Sequence, residues 1–380
     1  MRYQGNLGAM AVRLIAALLL VAFAAAATGC AVSSQLITDL SSYDTADLDA
    51  FLNRAAPDIG GVAVFVALGN IVVKDTGYSR FGTGKVVDIG TSARWLAAAA
   101  MMTLVDEGLL SLDDPVSYYL PEFGGEKQYI TIRQLWSGTS GLVDDSPALM
   151  ERTITLKECA LRIAATPLAF IPGTLVHDGA AGIQVGARIC EVISGTLWQQ
   201  FFHSRIAGPL GMSSTTFDMM GFNRNPRIAC AARSTVQDYG QFLVMLLQEG
   251  LWNNRRILSE SSVAELLHDQ SLGAPISESP YAPLVTVLPQ TRDARPGLGV
   301  WLEQTDPVTG AAVVASCPGD HGFMPWVDLS RNLACVLSAQ SDLESASYTI
   351  THVRDLVQSM IAKGPQHNDA SSRLRVPSSS

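Results

Sequence analysis

The spacing of apolar residues predicts strands near both ends of the chain and helices between them. Residues 61–74 are rich in β-branched and small apolar residues around Gly69-Asn70, which is typical of two strands joined by a tight turn. Residues 93–107 are rich in Ala, Met and Leu, which favours a buried helix that Gly108 is placed to end. Helical stretches then alternate with Pro/Gly-rich loops up to about residue 270. Four strand-like runs return late in the chain, at 297–304, 311–317, 323–329 and 333–340.

Two further segments have the pattern of helices, one at 46–55 and one at 344–362. Because the early and late strands would have to pair in one antiparallel sheet, we predict an α+β fold with a helical region inserted and a cleft between the layers. The predicted boundaries are 61–90 and 290–363 for the α/β part and about 91–289 for the helical part. Residues 364–380 contain little to bury and are predicted to be disordered.

The N-terminal residues have the pattern of an export signal. An apolar stretch at 14–27 follows two arginines and is shorter than the roughly 20 residues of a transmembrane helix. Small residues then lead to Cys30, as in a bacterial lipobox, although Ala27 stands where a bulky aliphatic residue is usual. We predict a signal peptide at 1–29, a lipidated Cys30 opening a segment that runs to residue 60, and a membrane-anchored extracytoplasmic location. Simple secretion and a retained membrane anchor are the alternatives.

Composition and charge narrow the class of protein. With 48% apolar residues and 16% charged residues, the chain has the composition of a globular protein. Its net charge of −9 and the absence of any block of Lys or Arg argue against a nucleic-acid binder, which needs a basic face. Five cysteines follow Cys30 at long spacings with no C-x-x-C, which argues against a zinc or thioredoxin-like site. An exported protein can form a disulfide, but small buried thiols are the favoured interpretation.

Several longer stretches resemble the serine β-lactamases and DD-peptidases, especially the class C-like branch that includes penicillin-binding esterases. They occur in the expected order between about residues 61 and 360 and lie at 104–123, 130–142, 171–195, 209–217, 234–250 and 318–340. The resemblance implies a β-lactamase/transpeptidase-like fold in which an antiparallel sheet is flanked by helices. It also implies serine-hydrolase ancestry, with no metal and no cofactor.

The first family motif, S-x-x-K, supplies a nucleophilic serine and a lysine that helps to remove its proton. Thr91 and Arg94 occupy the matching positions here. A register shifted by one residue sets Ser92 opposite Trp95, which cannot act as a base. Arginine stays protonated in proteins, with a pKa above about 12, so Arg94 cannot replace the lysine as a base.

The motif does not occur elsewhere, because the chain contains only five lysines. The residues three positions before them are Ile71, Gly82, Gly124, Ile154 and Met360. None of these is Ser or Thr, so the sequence contains no S-x-x-K or T-x-x-K.

The other two family motifs are altered as well. The second, Y-x-N or S-x-N, aligns with Asp178 and Ala180, and a shifted register would place His177 and Gly179 there. Either way the side-chain amide that binds substrate in the family is missing. The third motif, K-T-G or H-x-G, aligns with Cys317-Pro318-Gly319, so its cation is lost and its glycine is kept.

The replaced residues are predicted to interact with one another. In the family, the motif lysine and the motif tyrosine meet over the nucleophile. We therefore expect Arg94 and Asp178 to form a bidentate, partly buried ion pair that fills the former active centre. Thr91 has two interpretations: a nucleophile activated by Asp178, or a residue that caps the following helix, which is favoured.

Other polar residues have a functional and a structural interpretation. His177 and His321 are candidate general bases of a rebuilt site, but ordinary loop histidines are favoured. Asp113 and Asp114 have the pattern of a metal or acid pair, but loop and capping roles are favoured. The segment 137–141 aligns with a structural H-T-S-G loop of the family.

Two functions follow from this pattern. The favoured one is a pseudoenzyme on a β-lactamase-related scaffold, held at the cell envelope and binding a cell-wall fragment, a small ligand or an envelope protein. The alternative is an active hydrolase of ester, amide or β-lactam substrates that uses Thr91 with an atypical Arg94/Asp178 site. The loss of all three motifs within a well-kept scaffold favours the first function.

Overall fold

The computed structural model describes residues 36–144, 146–217, 223–282 and 284–366. The predicted signal peptide, Cys30 and all but the first residues of the predicted C-terminal tail lie outside the described residues. The twelve strands described are β1 (Ile37–Thr38), β2 (Val62–Leu68), β3 (Ile71–Tyr78), β4 (Val87–Asp88), β5 (Arg233–Ser234), β6 (Leu251–Trp252), β7 (Arg255–Arg256), β8 (Arg295–Pro296), β9 (Trp301–Thr305), β10 (Ala312–Ser316), β11 (Phe323–Asp328) and β12 (Leu333–Ala339).

The α-helices follow the predicted distribution, with most of them in the middle of the chain. They are α1 (Ala46–Ala55), α2 (Ala93–Asp106), α3 (Ile132–Trp136), α4 (Leu156–Ala164), α5 (Ala181–Ser194), α6 (Trp198–Phe202), α7 (Gly208–Leu210), α8 (Val236–Leu247), α9 (Glu260–Leu266) and α10 (Leu343–Lys363). Within the described part of the chain, no helix is both long enough and apolar enough to cross a membrane.

The central sheet joins the two ends of the chain. Its strand order is β1-β3-β2-β12-β11-β10-β9-β8, and β2 pairs with β12 in antiparallel register from Val62 opposite Ala339 to Leu68 opposite Leu333. This confirms the α+β prediction, with early and late strands in one sheet. The expectation of a purely antiparallel sheet is wrong at one edge, because β1 lies parallel to β3.

Both faces of the sheet are covered by helices. In β2, Val64 and Val66 pack into the core layer under α1 and α10, whereas Phe65 and Ala67 face the layer that contains α2 and α8. Neighbouring residues of a strand point to opposite faces, so a strand covered on both sides is apolar throughout. This explains why β2 has no polar alternation in the sequence.

The predicted strand at 297–304 is interrupted in the structure. Only its second half, 301–304, lies in β9, and residues 297–300 form a loop between β8 and β9. In this loop Gly299 has φ +66° and donates its N–H to the carbonyl oxygen of Trp136 at 2.9 Å. A Cβ at Gly299 would lie 2.5 Å from the carbonyl oxygen of Arg94. The close approach of this loop to α2 therefore requires glycine and breaks the strand.

The region predicted as helical also contributes strands to two short β-ladders. The strand β5 pairs with β4, and β6 pairs with β7 through a two-residue turn at Asn253 and Asn254, which have φ +47° and +61°. A two-residue turn with positive φ at both positions is the geometry that asparagine tolerates in a β-hairpin. The Asn-Asn pair was the available sequence signal for this hairpin.

The described cysteines are all free thiols. Four of them are buried and Cys230 is partly buried. The prediction of buried thiols is therefore confirmed for the described residues, and the disulfide alternative is not realised among them.

A buried ion pair fastens α10 to the sheet. Arg354 donates from Nη1 and Nη2 to the two carboxylate oxygens of Glu303 at 2.6 and 2.7 Å, and its guanidinium lies 4.7 Å from the ring centroid of Trp326. The side chains of Arg354 and Glu303 are only 7% and 1% exposed. Removing one partner would leave the other charge buried without compensation.

We predict that Arg354→Met lowers the free energy of unfolding by about 3 kcal/mol or more, because Glu303 loses its counter-charge. Urea denaturation followed by circular dichroism measures the change. Arg292→Met is the matched control, because Arg292 is exposed. Equal stability of the two variants would contradict a structural role of the pair.

Candidate active-site cleft

Three segments meet at one cleft beside the sheet. They are the turn that begins α2, the residues that precede α5, and the chain that follows β10. The structure brings Thr91, Arg94, Asp178 and Cys317 together in the wall of this cleft. The three family motifs therefore converge in space although they are far apart in the sequence.

Thr91 lies in a single 3₁₀ turn at Gly90–Ser92, directly before α2. Its hydroxyl donates to the carbonyl oxygen of Pro318 at 2.6 Å. No side-chain hydrogen bond caps the start of α2, where Ser92 instead donates to the carbonyl of Cys317 at 2.5 Å. The prediction that Thr91 caps the helix is therefore wrong, because the chain after β10 passes close enough to accept both hydroxyl protons.

Arg94 and Asp178 form the predicted ion pair across the cleft. Nη1 of Arg94 donates to Oδ1 of Asp178, and the two side chains are only 12% and 15% exposed. The prediction of a bidentate pair is wrong, because only one hydrogen bond joins the two side chains. Nε of Arg94 donates to the carbonyl of Ala229 at 3.3 Å, and Oδ1 of Asp178 also accepts from Nε1 of Trp301 at 3.2 Å.

The charge of Arg94 is fixed by its surroundings. Burial acts to lower the pKa of the Arg94 guanidinium, but the negative charge of Asp178 opposes this and holds the pKa above its ordinary value. The guanidinium therefore stays protonated and has no lone pair with which to accept the proton of Thr91.

The second motif position opens helix α5. The backbone N–H groups of Ala180 and Ala181 donate to the two oxygens of Asp144 at 2.8 and 2.7 Å, so a carboxylate from a distant loop satisfies the helix N-terminus. Ala180 offers no side-chain amide at this place. Sequence analysis did not identify Asp144, since nothing in the sequence links it to residues 36 positions later.

His177 lies at the edge of the cleft between two carboxylates. Its Nδ1 is 3.2 Å from Oε2 of Glu278, and its Nε2 is 3.5 Å from Oδ2 of Asp144. Each ring nitrogen of His177 therefore has a carboxylate as its neighbour. His321 is 60% exposed, with Nε2 4.0 Å from Asp88, and it does not line the cleft.

The third motif position lacks a cation. Sγ of Cys317 lies 3.3 Å from the carbonyl oxygen of Thr91 and 3.6 Å from that of Gly299. Burial raises the pKa of Cys317 to about 12, so the thiol stays neutral at physiological pH. A neutral group therefore replaces the cation that the family uses to hold a substrate carboxylate.

Gly319 is required by its own protein neighbours. A Cβ at this position would lie 2.2 Å from the carbonyl oxygen of Ile89, and its N–H already donates to Phe323 at 2.7 Å. The close neighbour that requires glycine here is therefore the backbone just before the Thr91 turn.

The cleft is narrow. Its walls are made bulky by Trp136, Trp301 and Pro280. The space that the centres of water molecules could occupy within it is about 30 Å³. That volume suffices for about one or two water molecules. The two tryptophans were not identified from the sequence, because Trp136 ends α3 and Trp301 begins β9, and no pattern along the chain relates either of them to the motif positions.

The remaining polar candidates have structural contacts. Asp114 accepts from the N–H of Ser111 at 2.8 Å and from the hydroxyl of Tyr119, while Asp113 pairs with Arg133 at 3.0 Å. No cluster of metal-binding side chains occurs among the described residues.

In the segment 137–141, the Ser137 and Thr139 hydroxyls are 2.9 Å apart and buried. These contacts agree with loop and capping roles.

Comparison with known proteins identifies the family. A family model described as "Beta-lactamase" matches residues 48–358 of the chain. The chain therefore belongs to the β-lactamase family, within the β-lactamase-related serine hydrolases that the longer sequence stretches suggested.

Among curated relatives, the chain is 29% identical to esterase EstB of Burkholderia gladioli over 201 residues, which cover 45% of this chain and 51% of the relative. It is also 29% identical to the putative penicillin-binding protein PbpX of Bacillus subtilis over 185 residues, 46% of each chain. The matches thus span about half the length of these relatives.

Solved structures support the fold. A putative β-lactamase from Bacteroides dorei superposes with a TM-score of 0.74 at 28% identity, covering 84% of this chain and 100% of that one. EstCE1, described as a hydrolase with promiscuous acyltransferase activity, has a TM-score of 0.65 at 18% identity, covering 82% and 98%. The second likeness is evidence for the fold alone.

We predict that Arg94→Met and Asp178→Leu each lower the free energy of unfolding by about 3 kcal/mol, because each leaves a buried charge without its partner. The double variant is expected to be more stable than the sum of the two losses implies. A double-mutant cycle measured by urea denaturation gives the coupling energy, expected to exceed about 1 kcal/mol.

The exposed pair of Arg162 and Glu151, with side chains 51% and 40% exposed, is the control. The same cycle there should give a coupling of at most about 1 kcal/mol. Additive losses at Arg94 and Asp178 would contradict a coupled pair at the centre of the cleft.

Proposed function

We propose that this protein is a non-catalytic member of the β-lactamase family that acts by binding a ligand or a partner at the cell envelope. The ion pair between Arg94 and Asp178 carries the proposal, because it stands where the family places its lysine and tyrosine. A permanently protonated guanidinium replaces the base, and its carboxylate partner is held by two donors.

The surroundings of Thr91 support the same proposal. Its hydroxyl proton is directed to the carbonyl of Pro318, which is not a base, and the neighbouring thiol of Cys317 is neutral. Acyl transfer needs an activated nucleophile and a group to take its proton. Among the described residues that line the cleft, the carboxylate that could take this proton, Asp178, is paired with Arg94 and Trp301 instead.

The envelope location rests on the sequence of the N-terminal residues. Lipid attachment at Cys30 would tether the domain to a membrane through the short segment that leads to β1 at Ile37. A domain held there would meet cell-wall fragments and envelope proteins, which are the proposed ligands and partners.

An active hydrolase is the second candidate, and two observations favour it. Thr91 still presents a hydroxyl in the wall of the cleft, and a curated relative bears the name esterase. In this case Asp178 would have to exchange its contact with Arg94 for one with the nucleophile. The substrate would be an ester, an amide or a β-lactam.

A labelling and turnover assay separates the two candidates. We predict no covalent adduct with a fluorescent penicillin, and hydrolysis of p-nitrophenyl acetate at the same rate for the wild type and Thr91→Ala. Gel fluorescence and absorbance of released nitrophenol measure the two reactions. Labelling or turnover that Thr91→Ala abolishes would establish an enzyme and refute the proposal.

Restoring the family residues provides the matched gain-of-function variant. The combination Thr91→Ser, Arg94→Lys, Asp178→Tyr and Ala180→Asn returns a nucleophile, a base and an amide to the cleft. Penicillin labelling of this variant, with the wild type unlabelled, would show that these positions alone prevent acylation.

A further inference from the structure

One wall of the cleft comes from a segment that lies outside the helices and the central sheet. Residues 275–280 lie between α9 and β8 and contribute Pro280 to the wall. Three of these six residues are exposed and three are partly buried. We call residues 275–280 the strap. Because none of its residues is fully buried, little packing holds the strap in place.

Among the described residues, Val176 joins the backbone of the strap to the rest of the domain. The N–H of Val176 donates to the carbonyl of Pro275 at 2.9 Å, and the N–H of Ser277 donates to the carbonyl of Val176 at 2.9 Å. The hydroxyl of Ser277 donates to the same carbonyl at 2.8 Å. Within the described part of the chain, the strap makes no backbone hydrogen bond to the central sheet. Few bonds therefore have to break for the strap to move away from the cleft.

The strap and the residue that follows it also contact the cleft wall through side chains. Oε2 of Glu278 lies 3.2 Å from Nδ1 of His177, and the side chain of Glu278 is 62% exposed. Directly after the strap, the ring of Tyr281 meets the ring of Trp301 edge-on, with centroids 6.2 Å apart. Tyr281 is 1% exposed, and its hydroxyl lies 2.7 Å from that of Ser316. The strap thus has an exposed contact near its middle and a buried anchor at its end.

The strap is preceded by a strained turn. Leu272 and Gly273 have φ of +50° and +83°, and Leu272 is 88% exposed. A bulky residue rarely adopts a positive φ, so the backbone at Leu272 is strained and a change in its dihedral angles relieves that strain. Within the strap, the rings of Pro275 and Pro280 fix φ at both ends. This is the arrangement of a stiff segment beside a hinge.

We propose that the strap is a lid that must open before the cleft can receive a ligand. The closed cleft has room for about one or two water molecules, so a cell-wall fragment or another small molecule fits only if a wall moves. In the open state the strap turns at Leu272 and Gly273, gives up its bonds to Val176 and takes Pro280 out of the wall, while Tyr281 stays in place. Such a lid is required whether the cleft binds its ligand or hydrolyses it.

The thiol of Cys317 reports the opening. Cys317 lines the cleft and is 2% exposed, so a thiol reagent reaches it only when a wall moves. The full protein is treated with N-ethylmaleimide in native buffer, and peptide mass spectrometry gives the labelling rate of each cysteine. Cys190 and Cys335 are buried and do not line the cleft, so in the same sample they report unfolding of the whole domain. Cys317 is expected to react about tenfold faster than either of them, or more.

Two variants of the strap should speed the reaction of Cys317. Ser277→Pro removes both the N–H and the hydroxyl that hold the strap, and is expected to raise the rate about tenfold. Glu278→Ala should raise the rate less, by up to about fivefold, because exposed ion pairs are weak. Glu260→Ala is the matched control, since it removes a 67% exposed carboxylate from its pair with Arg256 outside the cleft, and it should leave the rate unchanged.

A disulfide between the strap and the domain should have the opposite effect. Val176 and Ile276 are partners in a parallel β-bridge and pack into the same core layer. Neighbouring backbones in such a bridge lie about 4.8 Å apart, which is within the Cα separation that a disulfide spans. The oxidised Val176→Cys, Ile276→Cys variant is therefore expected to label at Cys317 about tenfold more slowly than the wild type. Reducing the same protein with dithiothreitol, followed by its removal, should restore the rate, which separates the lock from a loss of folding.

Two results would overturn the proposal. One is a wild-type labelling rate of Cys317 no higher than that of Cys190 and Cys335, and the other is a Cys317 rate that neither the oxidised lock nor Ser277→Pro changes. If Ser277→Pro also speeds the labelling of Cys190, that variant has unfolded and the oxidised lock decides alone. None of these outcomes bears on acylation of Thr91, so the lid and the proposed function fail separately.

Discussion

The organisation of the cleft depends on the burial of one guanidinium. Arg94 projects from the first turn of α2 into a space between the layers, where an unpaired cation would be costly. Asp178 must therefore lie opposite it, and Trp301 and the carbonyl of Ala229 complete the hydrogen bonds of the pair. The start of α2, the approach to α5 and the start of β9 are held in register by this one contact.

The same contact changes the chemistry that the scaffold can perform. A lysine at position 94 would cycle between charged and neutral forms, whereas an arginine paired with a carboxylate keeps its proton. The neighbouring positions follow the same trend, since Cys317 is neutral and Ala180 has no polar side chain. The charges of Arg94 and Asp178 thus compensate each other within the cleft.

The scaffold around this site is retained because its stability has other sources. The sheet is covered on both faces, and β2 and β12 join the two ends of the chain in its centre. Glu303 and Arg354 fasten α10 to that sheet on the face away from α2. Changes at the three motif positions therefore leave the fold intact.

The sequence by itself determined the main strands and the buried helix α2, because these depend on periodicity. The convergence of the motif positions and the pairing of Arg94 with Asp178 were implied by the resemblance to the family. Arg94 could not be a base in any fold, and a buried arginine needs an acid.

Only the tertiary structure decided which groups touch. Thr91 donates to Pro318, Asp144 caps α5, Trp301 shares Asp178, and β1 joins the sheet in parallel. Each of these contacts joins residues that local propensity does not relate. Their partners are set by how the layers close, so no pattern along the chain could specify them.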